Sequence, residues 1–398
     1  MRLVTALLLL AAAQLAAPAQ AQAQQATQQA PLKIGVLLPT SGIFAVIGNE
    51  LLNGMRMAAD EAGAGVAGRK LELIVEDTET KPDVGLAKAR KLVLSDKVDA
   101  VAGIVSSAVA LAVAPYLTSQ KVPLVIGNAA TDLLSGEKCS RYVFRAAYSS
   151  SQVSRPVGTW LASKGVKSVF VLGADFIAAH EFVKAFKESY TAGGGKVLGE
   201  AFSPFGKTQD YGPYISQARA SNADGLFAVY FGGEAILFMK QYEAFGIKDK
   251  LPIYSTLGIT AQMLHKAQGP AALGVISSAI YIPELDTPAN KKFVATYQDK
   301  FKALPAEFAV MGYDSIRFIL EAVRARNGDT ADREALVDAL EKSSFVSPRG
   351  PMKMDPKTRG ATQNIYIVRT VPKGDGVGFE MLETLPNVPD PVTGCVLK

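Results

Sequence analysis

Apolar runs of strand length alternate with stretches of helical periodicity along most of the chain. In the first third, after residue 30, the strand-like runs lie at 33–38, 71–76, 100–105 and 124–126, and the helical stretches lie at 48–62, 84–94 and 108–119. The runs contain few polar residues, as is typical of parallel strands that are covered on both faces. This alternation predicts an α/β fold with a mostly parallel sheet flanked by helices.

The pattern restarts after a polar segment, Tyr148-Ser149-Ser150-Ser151-Gln152. Strand-like runs and helical stretches alternate again up to residue 281, and they are followed by helices up to residue 342 and a last strand at 364–368. Two such units, followed by helices that are too polar on one side to form a core alone, predict two lobes. We expect lobe 1 to contain residues 31–147 with 283–350, and lobe 2 to contain residues 148–282 with 351–385.

The first 23 residues, 1–23, have the features of a secretory signal peptide. A basic residue, Arg2, precedes the apolar run 3–13, and overlapping Ala-x-Ala triplets between residues 17 and 23 offer cleavage sites. The apolar run is too short for a membrane-spanning helix, and an anchor that is retained uncut is the alternative. We expect residues 24–30 to form a flexible tail and the mature protein to be exported into an oxidising compartment.

The chain has two cysteines, Cys139 and Cys395. Cysteines of an exported protein tend to pair, so we expect a disulfide that ties the C-terminal tail, residues 386–398, back to the body of the protein. Two buried thiols are the alternative. Cys395 lies in a tail with three prolines, which is a poor setting for burial and favours the disulfide.

Composition and charge narrow the function further. Hydrophobic residues make up 48% and charged residues 20% of the 398 residues, which is ordinary for a folded protein. The net charge of +5 is spread along the chain without a long basic run, so nucleic acid is a poor candidate partner. The only histidines, His180 and His265, have no neighbour at metal-ligand spacing, and phosphate-binding, dinucleotide-binding and hydrolase motifs are missing. We therefore expect no metal and no cofactor, and a binding function rather than catalysis.

Several short segments at the ends of predicted elements carry a family resemblance. They are Pro39-Thr40-Ser41-Gly42, Gly54-Met55-Arg56, Gly103-Ile104-Val105-Ser106-Ser107, Met311-Gly312-Tyr313-Asp314 and Ser347-Pro348-Arg349-Gly350. In order and spacing, the chain from about residue 31 to residue 385 resembles the periplasmic solute-binding proteins of ABC importers, of the branched-chain (Leu/Ile/Val) amino-acid-binding type. The resemblance implies a type I two-lobed fold with three hinge crossings, a periplasmic location, a small-molecule ligand in the interlobe cleft and an inner-membrane ABC permease as partner. We also expect a monomer.

The local sequence and the resemblance together predict a carboxylate site. Ser106 and Ser107 follow a predicted strand and begin a helix, where free backbone amides and a hydroxyl group suit an anion. In the family, this loop and the matching loop that begins at Asn128 hold the ligand carboxylate, which implies contacts from Ser107, Ala129 and Thr131. For Ser107 and Thr131, the alternative is an ordinary helix cap.

Three positions depart from the pattern of the amino-acid binders. By spacing, Ala178 stands where the family has a tyrosine, Leu257 stands at or near its acidic residue, and Ile47 replaces an aromatic residue. Without that acidic residue, a buried ammonium group has no anionic partner, which is costly. We therefore expect a ligand with a carboxylate and no ammonium group, such as an aromatic or phenylpropanoid acid. A branched-chain or other hydrophobic amino acid is the alternative within the family, and an exported enzyme that uses the cleft is the alternative from another class.

Aromatic residues and one acidic residue complete the predicted site. The candidates for contact with a ligand ring are Phe44, Phe176, Tyr230, Phe231 and Tyr281. Core packing explains Phe231 better, and explains the others equally well. Glu234 is the one carboxylate that we predict in the cleft, where it would accept a hydrogen bond from a ligand hydroxyl or bind an ammonium group. Its alternative role is a charge at the start of a helix.

Overall fold

The computed structural model of the chain describes residues 30–63, 65–392 and 394–397. The predicted signal peptide, residues 1–23, lies outside the described residues, as does the predicted tail 24–30 except for its last residue. Among the described residues, no helix combines the length and the apolar composition that crossing a membrane requires.

The first part of the chain folds into a five-stranded parallel sheet. Its strands are β1 (Leu32–Leu38), β2 (Leu71–Asp77), β3 (Ala100–Gly103), β4 (Leu124–Ile126) and β5 (Val143–Arg145), and its helices are α1 (Ala45–Glu61), α2 (Pro82–Leu94) and α3 (Ser107–Ser119). The strand order is β2-β1-β3-β4-β5, and every neighbouring pair is parallel. Strands β3 and β4 are buried along their whole length, because both faces are covered.

The second sheet has nine strands and is mixed. Its strands are β6 (Ser168–Asp175), β7 (Lys196–Pro204), β8 (Gly225–Val229), β9 (Ile253–Thr256), β10 (Ile276–Ala279), β11 (Ser344–Ser347), β12 (Gly350–Met354), β13 (Ala361–Lys373) and β14 (Gly376–Val388). Its helices are α4 (Ser150–Ser163), α5 (Ile177–Ala192), α6 (Gly212–Ala220), α7 (Gly232–Ala244) and α8 (His265–Gln268). The order is β11-β12-β13-β10-β9-β8-β6-β7, with β14 paired to β13. Strands β6 to β10 pair in parallel, whereas β13 joins β10 in the antiparallel direction.

Three late helices return to the first sheet. They are α9 (Pro288–Phe301), α10 (Glu307–Ala325) and α11 (Arg333–Glu341). Helix α10 crosses α1 at very short range: a Cβ atom added to Gly54 would lie 1.7 Å from the Ala309 carbonyl oxygen, and one added to Gly312 would lie 2.0 Å from that of Leu51. Only glycine permits two helix backbones to approach this closely, so both family segments that contain these glycines serve packing.

A buried arginine joins the segments that pass between the two sheets. Arg349 is 1% exposed, and its Nε donates to Asp314 Oδ2 at 2.6 Å. Its guanidinium also donates to the carbonyl oxygen of Ala146, in the first crossing between the sheets (residues 146–149, between β5 and α4), and to Gln363 Oε1, in β13. One side chain therefore connects α10 to the first crossing and to β13 of the second sheet.

The predicted fold class and the predicted disulfide are confirmed. The chain has the type I architecture of two α/β units, one built on each sheet. A disulfide joins Cys139 to Cys395, whose Cα atoms are 5.5 Å apart. The sequence analysis did not predict β11, β12 and β14. β11 lies inside the range predicted for lobe 1 but pairs in the second sheet, and β14 extends into the predicted tail. These strands expose much of their length, so they lack the continuous apolar runs that indicate buried strands.

Candidate ligand-binding site

A cavity of about 220 Å³ lies between the two sheets. The loops and helices that follow strands of the first sheet contribute Phe44, Ile47, Thr80, Val105, Ser106, Ser107, Ala108, Asn128 and Ala130. Those that follow strands of the second sheet contribute Phe176, Ile177, Ala178, Phe182, Phe205 and Phe231. Tyr148 lies in the first crossing between the two sheets. Most of these residues follow the carboxyl ends of parallel strands, which is where open α/β sheets bind ligands. None of the lining residues is acidic or basic.

Phenylalanine rings form one wall of the cavity. The ring of Phe205 lies 4.9 Å from that of Phe176 and 5.5 Å from that of Phe44, measured between centroids. Phe231 contacts both Phe176 and Phe182, at 6.2 Å and 5.6 Å. Such tilted and edge-on pairs leave ring faces and edges available to another aromatic group. Phe44 belongs to the first sheet side, so its contact with Phe205 also joins the two units.

The start of helix α3 supplies the polar end of the cavity. Ser106 is the N-cap residue, and its side chain makes no capping hydrogen bond. Ser107 Oγ accepts a hydrogen bond from the Thr131 backbone amide at 3.2 Å, so its own proton is free to be donated. The first backbone amides of a helix have no partner inside the helix, and they carry a partial positive charge. Asn128 adds a side-chain oxygen that is buried without a hydrogen-bond partner in the described part of the chain.

An unusual backbone turn aims this helix at the cavity. Gly103 and Ile104 both have positive φ angles, 115° and 63°. A β-branched residue in this region is a genuine outlier, which is typical of functional sites. Two backbone bonds hold Ile104: its amide donates to the Leu37 carbonyl at 2.6 Å, and its carbonyl accepts from the Ala129 amide at 3.0 Å.

The structure brings seven of the predicted site residues to the cavity, which are Phe44, Ile47, Ser106, Ser107, Asn128, Phe176 and Ala178. Phe231, for which core packing was the better explanation, also lines the cavity. Ala129 is fully buried, and its amide is already bonded to Ile104, so it does not line the cavity. Leu257 lies in a 3-10 turn, Leu257–Thr260, that follows β9, and its side chain is outside the described part of the structure.

Thr131 bonds to the opposite unit instead of lining the cavity. Its Oγ1 donates to Glu181 Oε1 at 2.7 Å, and Glu181 Oε2 accepts from the Asp132 amide at 3.0 Å. Glu181 is on α5, so this carboxylate connects the loop after β4 to the second unit. Burial raises the pKa of Glu181. No local pattern distinguishes Glu181 from the other charges of its helix, and the sequence analysis did not find it.

Glu234 and Tyr281 also lie away from the cavity. Glu234 is 8% exposed, and its Oε1 accepts from the Gly206 amide at 2.9 Å. Burial raises the pKa of Glu234. Tyr281 is fully buried, and its ring packs edge-on against Phe293. The core packing that was the alternative for Tyr281 is the arrangement that the structure has.

Several lining residues were missed by the sequence analysis. Among them are Thr80, Tyr148, Phe182 and Phe205. Phe182 has helical spacing on α5 that is typical of core residues, and Phe205 follows an unremarkable edge strand. Taken together, the site offers an aromatic slot, hydroxyl groups and helix-terminal amides, and this combination is suited to a small, largely apolar anion.

Comparisons with known proteins identify the family of the chain. The model of the periplasmic binding protein family matches residues 31–375. Leu/Ile/Val-binding protein homolog 6 of Brucella melitensis is 32% identical over 369 residues, which cover 90% of this chain and 93% of the relative.

Two solved structures from Rhodopseudomonas palustris are similar along their whole length. A solute-binding protein of an ABC transporter, in complex with 3,4-dihydroxybenzoic acid, has a TM-score of 0.87 and 32% identity, covering 91% of this chain and 99% of that one. A second such protein, in complex with benzoate, has a TM-score of 0.86 and 30% identity, covering 92% and 99%. Since the family model covers most of the chain and these relatives share its fold along nearly their whole length, the chain belongs to the periplasmic binding protein family and is a solute-binding protein of an ABC transporter.

Proposed function

We propose that this protein captures an aromatic carboxylate in the periplasm and presents it to an inner-membrane ABC permease. The observation that carries the proposal is the lining of the cavity, which combines phenylalanine rings with hydroxyl groups and contains no charged side chain. A buried ammonium group would have no anionic partner there, and such a group is costly to bury. The ligands of the two Rhodopseudomonas palustris proteins, which are ring carboxylates, support the same class.

The size of the cavity favours a ligand with one ring. An apolar cavity of about 150 Å³ is large enough to hold benzene. The cavity of about 220 Å³ therefore has room for a benzene ring with a carboxylate, and little room beyond a short side chain. A phenylpropanoid acid is at the upper end of what this volume accepts.

In the proposed binding mode, the carboxylate lies at the start of α3. Ser106 and Ser107 offer hydroxyl donors at this position, the helix-terminal amides supply further donors, and Asn128 lines the same cavity. Hydrogen bonds to a charged group contribute about 1.5–3 kcal/mol each. A few such bonds together with ring burial reach about −8 kcal/mol, which corresponds to a micromolar Kd.

The contacts that join the two units around the cavity support capture by hinge closure. The Phe44–Phe205 ring contact and the Thr131–Glu181 hydrogen bond both cross between the units next to the site. A ligand of this size enters when these contacts open, and it adds contacts to both units when they close. Water is then excluded from the carboxylate, which strengthens its hydrogen bonds.

A branched-chain amino acid is the second candidate ligand. The name of the Brucella melitensis relative supports it, since that protein is called a Leu/Ile/Val-binding homolog at 32% identity. The uncharged cavity is the observation against it.

Paired ligands separate the two candidates. The mature protein, freed of bound ligand by unfolding and refolding, is titrated calorimetrically with benzoate, 3-phenylpropanoate, phenylalanine and leucine. We expect benzoate to bind, and 3-phenylpropanoate to bind more tightly than phenylalanine, from which it differs only by the ammonium group. Tighter binding of leucine or phenylalanine than of either acid would overturn the proposal. Chromatography of the recovered ligand tests the enzyme alternative, because a binding protein returns it unchanged.

A further inference from the structure

A small polar recess adjoins the ligand cavity, and Tyr148 lines both. The volume of the recess is about 10 Å³, close to the space needed by one water molecule or hydroxyl group. Its wall includes Thr256, Gly258 and Glu307. The ring of Phe231, which lines the cavity, packs directly on Gly258, since a Cβ atom added there would lie 2.1 Å from a ring carbon. The two spaces therefore meet at Tyr148, next to Phe231.

Glu307 has unused hydrogen-bonding capacity in this recess. The residue is 2% exposed, and neither of its carboxyl oxygens has a hydrogen-bond partner within the described residues. Burial raises the pKa of Glu307 to about 8, and the nearby Glu50 adds to the rise. At neutral pH the group is mainly protonated, so it offers a donor and an acceptor. Buried polar groups almost always have partners, so one without a partner is a notable feature.

Tyr148, which lines the ligand cavity, can also both donate and accept a hydrogen bond. Its burial raises the pKa of the phenol above the ordinary value, and Glu307 contributes to the rise. The hydroxyl group therefore stays protonated and can donate and accept. A ring that fills the cavity has Ser106 and Ser107 for its carboxylate, and Tyr148 is a separate polar contact.

We propose that Tyr148 and Glu307 form a subsite for a ring hydroxyl group, so that the protein prefers hydroxylated aromatic acids to the same acids without the hydroxyl. This inference rests on the proposed function, because it needs a ring in the cavity. A hydroxyl group that enters the recess supplies the missing partner of Glu307, whereas an unsubstituted ring does not. Sites with buried polar groups discriminate in this way against ligands that cannot pair them.

The test compares ligands that differ in one group. Kd values of benzoate, 3- and 4-hydroxybenzoate and 3- and 4-methylbenzoate are measured calorimetrically for the wild-type protein, for Tyr148→Phe and for Tyr211→Phe. Tyr211 is the control, because its hydroxyl group is buried without a partner among the described residues and it does not line the cavity. We expect at least one hydroxybenzoate to bind about five- to tenfold more tightly than benzoate and than its methyl analogue, as one net hydrogen bond implies.

The variants decide which residue is responsible. Tyr148→Phe should remove this preference, so that the Kd of the hydroxybenzoate rises to that of its methyl analogue, and Tyr211→Phe should retain the preference. Equal binding of benzoate, hydroxybenzoates and methylbenzoates by the wild-type protein would overturn the inference without touching the proposed function. Equal weakening of all ligands by Tyr148→Phe would also overturn it. If Tyr148→Phe does not fold, the wild-type comparison of hydroxy and methyl acids still decides. Failure of every aromatic acid to bind would instead refute the proposed function.

Discussion

Replacing Ser107 with alanine tests the carboxylate site directly. The hydroxyl group accepts from the Thr131 amide, so its one proton is available to a ligand. A hydrogen bond to a carboxylate contributes about 1.5–3 kcal/mol, so its loss in Ser107→Ala should raise the Kd of benzoate about 10- to 150-fold. The substitution also leaves the Thr131 amide, in a fully buried residue, without its acceptor. That loss should lower the free energy of unfolding by about 1–3 kcal/mol.

Calorimetric titration at 25 °C, where both proteins are folded, separates the two effects. Benzamide is the neutral analogue of benzoate, so its hydrogen bond to Ser107 should be weaker. The Ser107→Ala substitution should therefore raise the Kd of benzamide by a smaller factor than the Kd of benzoate. Ser154→Ala is the matched control, since the Ser154 hydroxyl is buried without a partner among the described residues and does not line the cavity. A benzoate Kd within twofold of the wild-type value in Ser107→Ala would refute the assignment. An equal loss for benzamide would show that Ser107 acts on shape and not on charge.

Two further predictions concern stability. Arg349→Met leaves Asp314 buried without its cation, so the free energy of unfolding in urea should fall by about 3–5 kcal/mol. A decrease of less than about 1 kcal/mol would contradict this prediction. The double variant with Asp314→Leu should recover part of the lost stability. Because burial raises the pKa of Glu307 from 4.5 to about 8, the folded protein holds a proton that the unfolded chain releases between these values. The free energy of unfolding of the wild-type protein should therefore contain a contribution that falls by about 1.4 kcal/mol per pH unit as the pH rises through this window. Glu307→Gln should lack this contribution. If the free energies of unfolding of the two proteins change in parallel with pH, the prediction is wrong.

The sequence predicted what depends on local pattern. Apolar periodicity located the buried strands and most helices, and the Ser106–Ser107 pair marked the start of α3 at the end of β3. The disulfide was predicted because the chain has only two cysteines and was expected to be exported. These features need little knowledge of distant contacts, because a buried parallel strand requires apolar residues at nearly every position and a helix start requires few residue types.

Such patterns did not predict the strands that are partly exposed. β14 has only two buried residues among thirteen, and β11 has one among four. Their identity as strands comes from backbone pairing with β13 and β12, and many residue types permit that pairing. Only the position of the partner strand decides it.

The sequence predicted only part of the site, for the same reason. The sequence placed seven residues at the cavity because each follows or caps an element whose end is locally encoded. Thr131 was different: its hydroxyl bonds to Glu181, fifty residues away in the other unit. Tyr148 and Glu307 meet only because the chain returns to the first sheet with α10. Local periodicity thus determines which segments are strands and helices, whereas the packing of the two units decides which side chains face a ligand, since that choice depends on residues far apart in the chain that only folding brings together.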